Sequence, residues 1–263
     1  MTTITPTLPP PDPSQPFRAS DHASDPFPHL LLCCTGSVAT IKLPDILTAL
    51  SRHRLSIRII LTPSACNFFP ETATGLPTLP QLSRYPNVAA LYTDASEWTP
   101  RWTRNAPILH IELRRWADLC VIAPLSADTL SKIVSGRSEG LVCSVLRAWD
   151  TTGGVDGRLE EGSQKPAQPK LTKKPVIVAP AMNTAMWNHP VTAPQIKVLE
   201  EDWGVRNGGW FEVLRPVEKV LACGDSGAGA MREWKDIVGV VETVLGLADD
   251  ANGAREGREE DGG

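Results

Sequence analysis

Pro175-Val176-Ile177-Val178-Ala179, running straight into Pro180-Ala181-Met182-Asn183-Thr184-Ala185-Met186-Trp187, is the stretch on which the fold turns. Its first five residues form a short β-branched apolar run, the composition of a strand buried on both faces of a parallel sheet. The octapeptide after it opens a helix, with Asn183 in the position of a cap. Open α/β sheets put their ligands where strands end and helices begin. An asparagine there offers an amide that both donates and accepts, on a wall otherwise made of methionine and tryptophan. A blander reading competes, in which Asn183 is only a cap and Met182, Met186 and Trp187 are core.

Working outward, the same pattern recurs. Leu30-Leu31-Leu32-Cys33-Cys34 reads as a buried first strand, turned by Thr35-Gly36-Ser37-Val38-Ala39 into a helix over 39–52. A small-residue turn of this kind leaves backbone N–H groups and a serine hydroxyl at the positive end of a helix dipole, a place for a phosphate, although it is neither G-x-G-x-x-G nor a P-loop. Residues 55–62 form a second strand, and Pro63-Ser64-Ala65-Cys66-Asn67-Phe68-Phe69 opens a short helix in which Ser64 is a cap or a cofactor contact. Residues 70–107 read as irregular. Residues 108–116 have helical character, and Ala117-Asp118-Leu119-Cys120-Val121-Ile122-Ala123-Pro124 is another buried strand. It ends in Leu125-Ser126-Ala127-Asp128-Thr129, a second strand-to-helix turn on the same edge as the first, and two such turns make a nucleotide-sized crevice. Helices follow over 129–135 and 140–148, an amphipathic helix over 190–203, short strands and turns over 204–221, a glycine-rich flap, and a final helix from Trp234 to Leu247.

The predicted architecture is therefore a single doubly wound parallel sheet with helices on both faces, over residues 29–248. Residues 1–28, rich in Pro, Ser, Thr and Asp, and residues 249–263, charged and glycine-containing, lack the apolar content to offset ordering entropy and are expected to be disordered tails. Residues 151–174 form a polar insert read as an exposed loop. The net charge of −4 gives no electrostatic reason for a nucleic-acid or anionic-membrane partner. The six cysteines show neither a C-x-x-C pair nor metal-ligand spacing with histidine, so no disulfide framework and no metal site are expected. No apolar run reaches the ~20 residues of a membrane span, and no secretory signal is visible, which points to the cytoplasm.

Three separated stretches carry a family resemblance. Pro180–Trp187, His110-Ile111-Glu112-Leu113-Arg114-Arg115-Trp116-Ala117-Asp118 and Leu221-Ala222-Cys223-Gly224-Asp225-Ser226-Gly227-Ala228-Gly229-Ala230-Met231 follow one another as in the flavin-dependent cysteine decarboxylases. The chain resembles that family over most of residues 30–247, and most closely its branch in coenzyme A biosynthesis. The resemblance implies a flavodoxin-like sheet and flavin mononucleotide (FMN) held by Gly36, Ser37, Val38, Thr62, Ser64 and Phe68 on one side. Pro124, Ser126, Ala127, Asp128, Thr129 and Ala181 would hold it on the other. It implies His110, Asn183 and Cys223 as catalytic residues, with Lys42, Asn183 and Met186 against the substrate. The implied reaction is loss of carbon dioxide from 4'-phosphopantothenoylcysteine to give 4'-phosphopantetheine. In it the thiol carbon is oxidised to a thioaldehyde, carbon dioxide leaves to an enethiol, and hydride return with a proton from Cys223 completes the product. A homotrimer with active sites between protomers, His110 facing Asn183 of another chain, is implied as well. Two alternatives stay open: a regulatory subunit that inhibits a serine/threonine phosphatase, and a peptidyl-cysteine decarboxylase. Asp128 replaces the family's usual asparagine, Val220 replaces a basic residue, and 151–174 is extra.

Overall fold

The computed structural model describes residues 16–72, 75–155, 173–220 and 226–247, with only the backbone of 218–220 and 226–227. Six strands form one parallel sheet: β1 (His29–Cys34), β2 (Ser56–Leu61), β3 (Val88–Tyr92), β4 (Leu119–Leu125), β5 (Val176–Pro180) and β6 (Phe211–Val213). Their order is β3-β2-β1-β4-β5-β6, so the chain winds outward from β1, returns to the middle, and winds the other way from β4. The doubly wound reading is realised, and the switch point lies between β1 and β4.

Residues of β1, β2, β4 and β5 are buried throughout, as a sheet covered on both faces demands. The pleat divides them between two cores. Leu30, Leu32 and Cys34 face one side, against Ile46, Leu47 and Leu50 of α1 (Leu43–Leu50) and Ile237 and Val241 of α9 (Trp234–Leu245). Leu31 and Cys33 face the other. There they meet Leu113 and Trp116 of α4 (Leu109–Trp116), Leu130 of α5 (Ala127–Val134), Val145 of α6 (Leu141–Arg147) and Ile196 of α8 (Thr192–Lys197). Short helices α2 (Pro63–Cys66), α3 (Leu79–Leu82) and α7 (Thr184–Trp187) follow β2, precede β3 and follow β5. A separate antiparallel pair, β7 (Val217–Val220) and β8 (Ser226–Ala230), completes the described chain.

Three segments differ from expectation. Within 70–107, read as irregular, Val88–Tyr92 forms the edge strand, a short Val-Ala-Ala-Leu-Tyr run that is only half-buried throughout. Residues 16–28, placed in the N-terminal tail, are packed: Ala19–His22 make a 3-10 turn, Ala19 N donates to Glu112 Oε2 at 2.8 Å, and the Phe17 ring covers the Arg58 guanidinium at 3.8 Å. The glycine-rich flap ends as β8, because β7 provides a pairing partner that its composition does not advertise. Most of the insert, residues 156–172, and all of 249–263 lie outside the described residues.

Candidate functional site at the sheet switch point

Three consecutive strands along the sheet, β2, β1 and β4, deliver hydroxyl-bearing turns to the same edge. Ser37 caps the 3-10 turn Val38–Lys42, Thr62 caps α2 and Ser126 caps α5, each accepting from a backbone N–H of the helix it opens. Thr35 stitches the switch point: its N–H and hydroxyl donate to Pro124 O at 3.2 and 2.9 Å, and Ser126 N donates back to its Oγ1 at 2.7 Å. Gly36 is packed so tightly that an added Cβ would lie 2.6 Å from the Ser64 Cβ. A cavity of about 270 Å³ opens between these turns, lined in part by Gly36, Thr62, Ser64, Ser126, Asp128 and Thr129.

Other expected cofactor residues stand behind that wall or beside it. Pro124 and Ala181 are buried, Pro124 acting through its carbonyl as the anchor for Thr35. Ser37 and Val38 follow Gly36 on the turn, Val38 well exposed, while Phe68 and Ala127 are half-buried. Sequence reasoning missed Pro63, Asp94, Lys132, Glu139, Gly140, Val142 and Cys143, which also line the cavity. Only Lys132 had a visible signal, four residues after Asp128 on one helix face.

The charge of Asp128 is balanced inside the chain. Its Oδ2 lies 2.8 Å from Lys132 Nζ, and this hydrogen bond raises the lysine pKa. The ammonium thus stays on the cavity wall, paired with that carboxylate. Asp94 is likewise engaged, accepting from Leu141 N, the first N–H of α6, at 2.9 Å. Burial pushes the Cys143 thiol up to about 11, so at neutral pH it is a protonated wall residue and not a nucleophile.

His110 lies in the first turn of α4, and its Nδ1 meets Glu97 Oε1 at 2.8 Å. Glu97 belongs to the 3-10 turn Asp94–Trp98, the turn whose first residue walls the cavity. Asn183 is exposed and is also the cap: its Oδ1 accepts from Met186 N at 2.8 Å. Both readings of this residue therefore hold together, since the cap consumes the amide oxygen and leaves the amide nitrogen to offer. Met182 is core and Met186 is exposed. β8 docks on this segment, with Met182 N donating to Gly229 O at 3.0 Å and no room for a Cβ at Gly229, 2.5 Å from Met182 O. Lys42 is exposed and paired with Asp45 at 3.2 Å. Cys223 lies outside the described residues. Among the described residues no hydrogen bond joins His110 to Asn183.

The family model described as Flavoprotein matches residues 18–246. The chain belongs to the flavoprotein family. This flavoprotein is 36% identical over 235 residues to the phosphopantothenoylcysteine decarboxylase of Mus musculus, covering 89% of this chain and 95% of that relative. It is 38% identical over 223 residues to the "Probable thymidylate synthase" of Schizosaccharomyces pombe but spans only 29% of that protein's length. Among solved structures, a PPC decarboxylase mutant complexed with pantothenoylaminoethenethiol superposes with a TM-score of 0.63 at 37% identity, covering 82% of this chain and 97% of its own. The FMN binding protein AtHal3 superposes with a TM-score of 0.61 at 38% identity, covering 82% and 95%. The hydroxyls and helix-start N–H groups of the wall suit a flavin nucleotide's polar end and Gly36 keeps the turn open, while the wall's charges are Lys132, paired with Asp128, and the carboxylates of Asp94 and Glu139. At about 270 Å³ it falls below the usual range for pockets that enclose a whole ligand. Among the described residues no helix is long and apolar enough to cross a membrane.

Proposed function

We propose that this flavoprotein decarboxylates 4'-phosphopantothenoylcysteine to 4'-phosphopantetheine with FMN as its cofactor, acting as a homotrimer in the cytoplasm. The observation that carries this reading is the convergence of three hydroxyl-capped turns on one cavity, in a chain that also has the Asn183 and Cys223 motifs. The near full-length match to the mouse decarboxylase supports the same substrate class.

An N-acylated cysteine has no free amine, so Schiff-base chemistry cannot stabilise the carbanion that carbon dioxide would leave behind. When bound, FMN supplies a reversible two-electron sink for the thiol-bearing carbon, so the overall reaction is redox-neutral and needs no nicotinamide. Gly36, Thr62, Ser64, Ser126 and Thr129 on the cavity wall, and Ser37 at the adjoining cap, would hold the cofactor. Asn183 donates its amide nitrogen to the substrate carboxylate or amide, its oxygen being fixed by the cap. A ligand that covers this amide without pairing it loses about 1–3 kcal/mol, which makes the residue discriminating. Lys42 offers an ammonium to the substrate's anionic groups. His110 acts as base or electrostatic partner through the ring nitrogen not held by Glu97. The Cys223 thiol gives the final proton to carbon.

The test is carbon dioxide release from 4'-phosphopantothenoylcysteine by the purified yellow protein, with Asn183→Asp and Cys223→Ser alongside. Aspartate caps a helix as well as asparagine does, so Asn183→Asp keeps the fold while removing the donor. The expected outcome is 4'-phosphopantetheine from the wild type, no reaction from Asn183→Asp, and accumulation of the enethiol with Cys223→Ser. A wild type that retains flavin yet releases no carbon dioxide overturns the reading.

A further inference from the structure

We propose that Glu97 is the positioning residue of His110, holding the imidazole with its proton on Nδ1 so that Nε2 is the atom offered to the substrate. A carboxylate only accepts hydrogen bonds, so the 2.8 Å contact between Glu97 Oε1 and His110 Nδ1 requires the hydrogen on Nδ1. Glu97 is the anchor of the pair, its side chain 6% exposed against 24% for His110. Its second oxygen is buried and has no hydrogen-bond partner among the described residues, so no competing donor draws the carboxylate away from the histidine. A buried carboxylate met on one side only is costly to the fold. A purely structural role would favour a better-satisfied group at that place.

Both partners stand on elements with little freedom to drift. The turn bearing Glu97 opens with Thr93, whose N–H donates to Ser96 Oγ at 3.0 Å, and Asp94 ties it to the start of α6. Gly140 is the only residue type that fits there, since φ is +80° and a Cβ would lie 2.8 Å from Asp94 Oδ2. His110 is carried by α4, whose other end is packed through Trp116, 2% exposed, beneath β1 and β2. The cavity wall and the histidine's orientation thus share one short turn. At metal centres, removing a carboxylate that orients a ligating histidine through its second nitrogen typically costs about 10- to 100-fold, which sets the scale expected here.

The inference rests on the decarboxylase reading for its kinetic consequence, but the tautomer is measurable without turnover. The experiment is 15N NMR of the histidine-labelled, flavin-loaded protein, with the His110 signals assigned from a His110→Asn variant, beside the kinetics of Glu97→Gln and Glu97→Leu. In the wild type the neutral ring should carry its proton on Nδ1. Glu97→Leu, similar in volume but without an acceptor, should shift the ring towards the Nε2-protonated form that free histidine favours, and lower kcat about 10- to 100-fold with KM within about two-fold. Glu97→Gln keeps an acceptor oxygen and should lose less. A wild-type spectrum showing Nε2 protonated overturns the proposal even if Glu97→Leu fails to fold. So does a Glu97→Leu protein with the wild-type tautomer and kcat, or equal losses in both variants that track a lowered melting temperature. An inactive wild type with the Nδ1–H tautomer would instead refute the substrate assignment and leave the positioning intact.

Discussion

A Cβ at Gly36 would sit 2.6 Å from the Cβ of Ser64, a contact that neither backbone can relieve without moving the β1 turn away from α2. Both residues wall the cavity, so the same hydrogen atom that allows the close approach also sets the spacing between two of the three capped turns. Gly36→Ala should therefore weaken flavin binding at least ten-fold, about 1.4 kcal/mol, while the cofactor-free protein still folds. Fluorescence titration of the cofactor-free variant with FMN, with its melting temperature as control, checks this. Binding within two-fold of the wild type would mean that the turn yields and that Gly36 is a packing residue alone. Asp128 illustrates the opposite case, a residue whose charge looks hostile to a phosphate but whose partner Lys132 absorbs it one helical turn away.

At the level of elements, α9 is fastened across the sheet's outer layer by Glu242, which meets His53 Nε2 at 2.9 Å and Arg52 Nη2 at 2.6 Å at the end of α1. Burial opposes the charge on Glu242, yet the hydrogen bonds from His53 and Arg52 outweigh it and hold the carboxyl below its usual range. A carboxylate depressed in the folded state gives stability that is complete above its unfolded value of ~4.3 and is lost as pH falls through the lower folded value. Glu242→Gln should accordingly lower the melting temperature by about 2–4 °C at pH 7, roughly 1 kcal/mol after solvent screening, with the deficit shrinking progressively towards pH 3. Thermal unfolding of both proteins across that range decides it, and an equal deficit at both ends would assign the loss to packing. The elements also show what a sequence exposes. β1, β2, β4 and β5 were legible because burial on both faces leaves runs dominated by apolar residues, broken inside β2 by Arg58, and the caps Ser126 and Asn183 because hydroxyl and amide side chains before a helix have a local physical use. β3 and β8 were not, since an edge strand or a glycine-rich one takes its identity from the strand beside it. The same holds for Glu97: its contact with His110 spans 13 residues of irregular chain, with no helical or strand period to join them. Residues 16–28 read as a tail because their partners, Arg58, Glu112 and Trp116, lie far along the sequence.

For the whole molecule, the described residues of one chain leave the proposed site open. Its cavity is smaller than a pocket that encloses a complete ligand, His110 and Asn183 share no hydrogen bond among the described residues, and Trp98, Trp102, Ile108 and Met186 remain notably exposed. Exposed aromatics next to the Glu97–His110 pair are the usual composition of an interface centre. The proposed homotrimer accounts for these features together, each active site taking His110 from one protomer and Asn183 from its neighbour. Closed cyclic symmetry then makes a quantitative demand. A His110→Asn chain and an Asn183→Asp chain are each inactive alone, since every site in either trimer lacks one group. When the two are unfolded, mixed in equal amounts and refolded with FMN, random assembly places an intact His110 beside an intact Asn183 at about one site in four. Activity should return to about a quarter of the wild-type level, and sedimentation should give a particle of three times the 28.5 kDa chain. If both groups of a site come from the same chain, no arrangement of the two variants restores a complete site, and the mixture stays as inactive as its parts.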